Sequence, residues 1–142
     1  MDAYKVLLGE ILIQRKRVTR EQVEQALQIQ KVKGGFIGEI LVNLGYLDER
    51  DIVVALVIQC GLPYIAVNKY AIDPQIVQLI PKEIAQKEKV IALDRIGEVL
   101  SVVMVNPLTD DKKNYLETLT KCRIATFIST QAEIKEAIAR NY

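Results

Sequence analysis

The sequence contains a tandem duplication of 24 residues, which constrains the fold more than any other feature of the chain. The first copy, Leu7–Gln30, and the second copy, Phe36–Gln59, align without a gap. Corresponding positions lie 29 residues apart, and eight pairs are identical: Gly9/Gly38, Glu10/Glu39, Ile11/Ile40, Leu12/Leu41, Ala26/Ala55, Leu27/Leu56, Ile29/Ile58 and Gln30/Gln59. Two copies make a tandem pair rather than an open solenoid, which needs about three repeats.

The apolar spacing of the first copy predicts two helices. Ala3–Gln14 places its aliphatic side chains on one helical stripe, and the basic run Arg15–Arg17 breaks that stripe. Thr19 predicts the start of the next helix, because Gln22 three residues later completes a capping box. Lys31–Gly35, which ends in two glycines, is predicted to be a link. Each copy is therefore predicted to be a helical hairpin.

The second copy repeats this plan. Phe36–Leu44 is predicted to be helical, and Gly45 suits the left-handed residue that ends a helix. Asp48 is the expected N-cap of a helix over Asp51–Cys60. This last helix is apolar almost all round, so we expect it to be packed on several sides. Leu12, Leu27, Leu41 and Leu56 are expected to join the two hairpins in one core.

After Pro63 the pattern changes to alternating helices and strands. The sequence predicts an α+β fold with two domains: a duplicated helical-hairpin part over 1–63 and a small α+β part over 64–142. Tyr64–Val67 is expected to be extended. A three-stranded sheet is predicted over Val90–Asp94, Glu98–Val105 and Arg123–Ser129, with helices over Gln75–Ile80, Lys82–Lys87, Asp110–Thr120 and from Thr130 to Arg140.

Composition excludes several classes of function. The 142 residues include no histidine, and the net charge is +1. Without histidine the commonest general base and metal ligand is missing, and no GxxxxGK[ST] phosphate loop occurs. Two distant cysteines cannot build a zinc site alone. We therefore expect a non-enzymatic protein of the cytoplasm with no metal, no nucleic-acid polymer and no direct insertion into the membrane.

The duplicated motif resembles one found in the N-terminal domain of type II secretion and type IV pilus assembly ATPases. That motif reads Arg-Leu-Gly, two residues, two aliphatics, two residues, Gly, then aliphatics and a Leu…Leu…Gln tail. The resemblance continues beyond the two copies through Gly61–Tyr64, Ile72–Pro74, Leu79–Pro81 and Asn106–Leu108. It implies a partner in the cytoplasmic region of an inner-membrane secretion or pilus component. It also implies one of two arrangements: a C-terminal ATPase domain outside this chain, or a stand-alone relative of such N-terminal domains.

The resemblance further implies a ligand, cyclic di-GMP, with one motif copy for each half of the dinucleotide. The candidate binding residues are the motif positions and two arginines of the basic turn: Leu8, Gly9, Leu12, Lys16, Phe36, Ile37, Gly38, Leu41 and Gly45, with Arg15 and Arg17. A glycine inside a helix costs about 1 kcal/mol relative to alanine, so Gly9 and Gly38 need a compensating close approach. That approach is either to a ligand or to a second helix.

This chain departs from the motif at three positions. Leu7 and Phe36 stand where the motif has arginine, and Lys16 stands where it has the glycine of the first turn. Phe36 can stack on a base but cannot replace a charged donor. The basic residues from Arg15 to Arg20 form either a compensating phosphate site or a solvated loop. We therefore predict a non-catalytic adaptor or regulatory module, with a cyclic di-GMP receptor as the alternative function.

Overall fold

The computed structural model describes residues 3–106 and 108–142, and the side chains of these residues apart from 3–7, 59 and 60. The chain divides into two compact units, Met1–Gly61 and Leu62–Tyr142. The first unit contains both copies of the duplicated motif. Each unit is described by itself below.

Four helices form the first unit: α1 (Ala3–Gln14), α2 (Arg20–Lys33), α3 (Ile37–Asn43) and α4 (Glu49–Cys60). The predicted helices are present, but the predicted link over Lys31–Gly35 is wrong in its first three residues. Lys31, Val32 and Lys33 are all compatible with a helix, so α2 continues through Lys33. It ends there because Gly34 and Gly35 have φ angles of +73° and +96°.

The predicted capping boxes open the second helix of each copy. The Thr19 hydroxyl accepts from the Gln22 amide at 3.2 Å, and the Gln22 side chain accepts from the Thr19 amide at 2.9 Å. Asp48 and Asp51 make the same reciprocal pair at 3.0 and 3.1 Å. Because each box satisfies two helix-end donors, α2 and α4 start at equivalent places in the two copies.

The helices of the two copies pack across one another. α1 lies against α4 and α3, and α2 lies against α3. Leu12, Leu41 and Leu56 are buried as predicted, whereas Leu27 keeps partial exposure. The expectation that α4 is packed on several sides is wrong in its last turn, where Val57 and Ile58 are 36% and 59% exposed. The apolar pattern of α4 did not indicate which of its side chains would be covered by another helix.

Within each copy, the motif glycine brings its own two helices close together. A Cβ on Gly9 would lie 3.1 Å from Val23 Cγ1, and a Cβ on Gly38 would lie 2.8 Å from Ile52 Cδ1. Val23 and Ile52 occupy the same position of the motif, 14 residues after their glycine. Both glycines therefore permit tight helix packing, which is the second of the two roles considered from the sequence.

The second unit is built on a three-stranded sheet in the order β1 (Val90–Ile96), β2 (Val99–Met104), β3 (Arg123–Ile128). β1 and β2 are antiparallel, while β2 and β3 are parallel. Gly97, with φ +60°, turns the chain between the first two strands. The helices are α5 (Pro74–Val77), α6 (Lys82–Glu88), α7 (Asp110–Thr120) and α8 (Gln131–Asn141), after a 3-10 turn at Val67–Lys69.

This arrangement confirms the predicted α+β class, with three corrections to element bounds. α5 ends at Val77 rather than Ile80, and β1 continues to Ile96. The expected extended stretch over Tyr64–Val67 is present at Tyr64, which forms a parallel bridge with Ile128, but it stops before Val67, where the 3-10 turn begins.

Tyr142 secures the end of α8 within the second unit. Its hydroxyl contacts the carbonyl oxygens of Val77 and Ile80 at 2.9 and 2.6 Å. Burial raises the pKa of Tyr142 to about 12, so the hydroxyl stays protonated and can donate at neutral pH. The end of α8 is thereby held against the last residue of α5 and the segment that follows it.

Candidate functional site

The structure divides the candidate binding residues between the core and the surface of the first unit. Six of them are buried: Leu8, Gly9, Leu12, Ile37, Gly38 and Leu41. The four aliphatic side chains among these are at most 1% exposed. The other five reach the surface at helix ends: Arg15, Lys16, Arg17, Phe36 and Gly45. In this conformation a ligand could contact only the five candidate residues at the surface, and the six buried candidates would support the helices that carry them.

The first and third helices end in matching turns. In the first copy the Lys16 amide donates to Ile13 O and the Arg17 amide to Leu12 O, both at 3.0 Å. In the second copy the Gly45 amide donates to Val42 O at 2.9 Å and the Tyr46 amide to Leu41 O at 3.1 Å. This pair of bonds defines the Schellman motif, which needs a left-handed residue at its centre.

Lys16 occupies that central position in the first copy, with φ +58°, and Gly45 occupies it in the second, with φ +81°. The lysine has therefore not caused the turn to be rebuilt. A left-handed conformation costs a residue with a Cβ about 1–2 kcal/mol of conformational free energy. At Lys16 the other interactions of the fold offset this cost.

Each turn is attached to the second helix of the other copy. Arg17 Nε lies 3.4 Å from Asp51 Oδ1, and the Tyr46 hydroxyl donates to the side-chain oxygen of Gln25. Arg17 and Tyr46 are equivalent positions of the duplication. The exchange of contacts holds the two turns in a fixed relation inside the first unit.

Part of the positive charge at the first turn is compensated locally. Besides the Arg17–Asp51 pair, Arg20 Nη1 lies 3.1 Å from Glu10 Oε1. Exposed pairs of this kind stabilise a fold by less than about 1 kcal/mol. They do lower the charge available to a phosphate, and so favour the solvated-loop interpretation of this basic run.

A small hollow lies in the surface beside the first turn. Its volume is about 270 Å³, and its lining residues are Ile13, Lys16, Arg17, Val18, Thr19 and Gln22. Sites for drug-sized ligands enclose roughly 300–1,000 Å³. The hollow is thus too small to enclose both halves of a dinucleotide.

Gln30 has a positioning role that the sequence interpretation missed. Its side-chain amide donates to Gly35 O at 2.8 Å and so fixes the segment that leads into Phe36. Phe36 is the N-cap of α3 and is partly exposed there. The signal in the sequence was the identity of Gln30 and Gln59 at the end of the motif.

Within residues 3–106 and 108–142, no group of three or more His, Cys, Asp or Glu side chains could hold a metal ion. Among these same residues, no helix has the length and hydropathy needed to cross a membrane.

Comparison with known proteins gives one family and several relatives. The model of the MshEN domain matches residues 60–142. The type IV pilus assembly ATPase PilB of Myxococcus xanthus is 33% identical over 135 residues, which cover 95% of this chain and 24% of that protein. PilB of Thermus thermophilus is 31% identical over 137 residues, covering 95% of this chain and 15% of that protein.

Two solved structures share the fold over both units. The structure of MshE with cdg, or cyclic di-GMP, has a TM-score of 0.74 and 27% identity and covers 95% of this chain and 98% of that chain. The N-terminal domain of XpsE has a TM-score of 0.83, covers 100% of this chain and 98% of that chain, and is 18% identical, so it shows the fold alone. The family match thus lies on the second unit, whereas the structural likeness also includes the duplicated motif.

Replacing the left-handed lysine tests the account of the first turn. Lys16→Gly should raise the free energy of unfolding by about 1 kcal/mol, because glycine adopts positive φ without a steric penalty. Gly45→Lys should lower it by about 1–2 kcal/mol for the converse reason. Urea denaturation followed by circular dichroism measures both changes.

The matched control is Lys135→Gly in the middle of α8, which should destabilise by about 1 kcal/mol because glycine is a poor helix former. If Lys16→Gly destabilised the protein as Lys135→Gly does, the strain assigned to Lys16 would be wrong.

Proposed function

The chain belongs to the MshEN domain family, and from that premise we propose that it is a non-catalytic adaptor or regulatory module of a secretion or pilus ATPase system. The family predicted from the duplicated motif is confirmed. The module would bind a partner protein of the membrane machinery. The partner class we propose is the cytoplasmic region of an inner-membrane secretion or pilus component, which would place this chain at the cytoplasmic face of that membrane.

The lengths of the two relatives support a regulatory module rather than the ATPase domain itself. The chain spans 24% and 15% of the lengths of the two PilB ATPases that it matches. It has no phosphate loop and no histidine, so its own residues lack the usual means of nucleotide hydrolysis. We infer that nucleotide hydrolysis belongs to a C-terminal ATPase domain outside this chain.

The observation that carries the proposal is the use of the motif residues in the core. Gly9 and Gly38 accommodate Val23 and Ile52, and the four motif aliphatics are buried beneath the turns. A motif that builds the helical scaffold leaves the outer surface of the module for contact with other proteins. Val57 and Ile58 are two apolar side chains exposed on that surface.

Calorimetric titration with the purified cytoplasmic region of the inner-membrane component tests the adaptor proposal. We expect saturable heat at micromolar concentrations, equivalent to about −8 kcal/mol of binding free energy. The cytoplasmic region of an unrelated membrane protein is the control and should give only heat of dilution. Absence of heat with the cognate region, from protein shown to be folded by circular dichroism, would contradict the proposal.

The second candidate is a cyclic di-GMP receptor, and the likeness to the structure of MshE with cdg favours it. In that case the ligand would meet the turns around Lys16 and Gly45, and the ring of Phe36 at the start of α3 could stack on a base. Two observations weaken it: the small hollow at the first turn and the pairing of Arg17 and Arg20 with carboxylates.

We therefore expect weak or no binding of cyclic di-GMP by the unmodified chain. A motif arginine supplies a charge-assisted hydrogen bond, and its replacement costs about 1.5–3 kcal/mol of binding free energy. A total of about 3 kcal/mol is more than a hundredfold in affinity.

Leu7→Arg, Phe36→Arg and Lys16→Gly together should restore binding in calorimetry. The control is Leu7→Ala with Phe36→Ala, which adds no charge. Sub-micromolar binding by the unmodified chain would place the receptor function above the adaptor function.

A further inference from the structure

The second unit has a groove between α6 and α8 whose volume is about 620 Å³. Lys82 and Gln86 line it from α6 four residues apart, so they share one helix face, and Lys89 lines it from the left-handed position that ends α6. Ile134, Lys135 and Ile138 line it from α8 with the same kind of spacing. We call this feature the α6–α8 groove.

The α6–α8 groove has an apolar floor and a basic rim. Ile134 and Ile138, at 1% and 7% exposed, form the floor. Lysine side chains lay their methylene stems along apolar surface and keep the ammonium group in water. Lys82, Lys89 and Lys135 therefore add apolar walls and three positive charges at the rim.

Acidic residues of the same helices are engaged away from the groove. Glu88 Oε2 lies 2.8 Å from Lys112 Nζ, and Glu136 accepts from the Asn68 amide at 3.1 Å. Glu133 accepts from the Tyr64 hydroxyl at 2.7 Å, and neither it nor the other two lines the groove. Glu83 of α6 does not line the groove either, so the charged side chains that line it are the lysines Lys82, Lys89 and Lys135.

Glu133 is held in its charged form. Burial on its own would raise the pKa of Glu133, but hydrogen bonds from Tyr64, Thr130 and Ser129 outweigh burial and lower it below the usual value. The same carboxylate accepts the Thr130 amide at 2.9 Å within the capping box of α8. The capping box of Thr130 and Glu133 already binds backbone amide groups at the start of α8. An acidic ligand in the groove would therefore bind the lysine ammonium groups rather than those amides.

We propose that the α6–α8 groove binds an acidic amphipathic helix of a partner protein. This inference rests on the proposed adaptor function and adds the place and the chemistry of the contact. The seven residues of α6, Lys82–Glu88, are about 10 Å long at 1.5 Å per residue, which matches about two turns of a bound helix. Aliphatic side chains spaced i, i+3 and i+4 would enter above Ile134 and Ile138, and flanking carboxylates would meet Lys82 and Lys135.

A synthetic peptide pair tests the proposal on the full chain labelled with ¹⁵N. The first peptide is a 16-residue helix with leucine at i, i+3, i+4 and i+7, glutamate on both flanks and alanine elsewhere, and the second has lysine in place of glutamate. The acidic peptide should shift amide resonances of residues 82–89 and 131–139 in a saturable manner. The basic peptide should bind at least tenfold more weakly.

Variants of the chain provide an independent measurement. Lys82→Glu with Lys135→Glu should weaken the acidic peptide at least tenfold, whereas the matched pair Lys69→Glu with Lys113→Glu, away from the groove, should change its dissociation constant less than twofold. Equal binding of both peptides, equal binding of a glutamate peptide without leucine, or shifts confined to other residues would overturn the proposal. Shifts of the groove residues by cyclic di-GMP alone would also overturn it.

Titration of the two charge-reversed proteins with the cytoplasmic region of the inner-membrane component separates this inference from the adaptor function. A tenfold loss for Lys82→Glu with Lys135→Glu supports the groove as the docking site. Unchanged binding by both proteins rejects the groove and leaves the adaptor function standing. No binding by the unmodified chain rejects the adaptor function, and the groove would then be rejected as the site for that partner.

Discussion

The first unit depends on the close approach of two helix pairs at Gly9 and Gly38. A methyl group at either glycine would lie within 3.1 Å of Val23 or Ile52, a distance that close-packed interiors do not accommodate without movement. The cost of a glycine inside a helix, about 1 kcal/mol, is offset by this packing. With the helices so close, the motif aliphatics become the shared core, and the two Schellman turns are held at equivalent ends.

Packing at the glycines changes what the duplicated motif does in this chain. The buried motif positions serve the scaffold, and Lys16 and Phe36 reach the surface at positions where the resembled motif has glycine and arginine. Arg17 is paired with Asp51, and Gln30 fixes the segment before Phe36. The α6–α8 groove of the second unit, at about 620 Å³, is larger than the hollow of about 270 Å³ beside the first turn.

Local signals in the sequence predicted the elements well, and tertiary effects account for the errors. Thr19 and Asp48 each satisfy helix donors through a neighbour three residues away, so their capping boxes follow from sequence alone. Exposure of Ile58 depends on which surfaces meet, and periodicity carries no such information. For the same reason the sequence named the residues of the basic turn but not their pairing with Asp51 and Glu10, and nothing in it indicated the α6–α8 groove.

A double-mutant cycle at Gly38 and Ile52 tests most directly whether the motif glycines serve helix packing. Gly38→Ala alone should destabilise the protein by about 1 kcal/mol, because overpacking of about 1–3 kcal/mol exceeds the gain in helix propensity. Ile52→Val removes Cδ1, the atom within 2.8 Å of the added methyl, so in that background Gly38→Ala should no longer destabilise. Urea denaturation should give a coupling energy of at least about 1 kcal/mol. Additive effects, within about 0.3 kcal/mol, would contradict the packing role of the glycine.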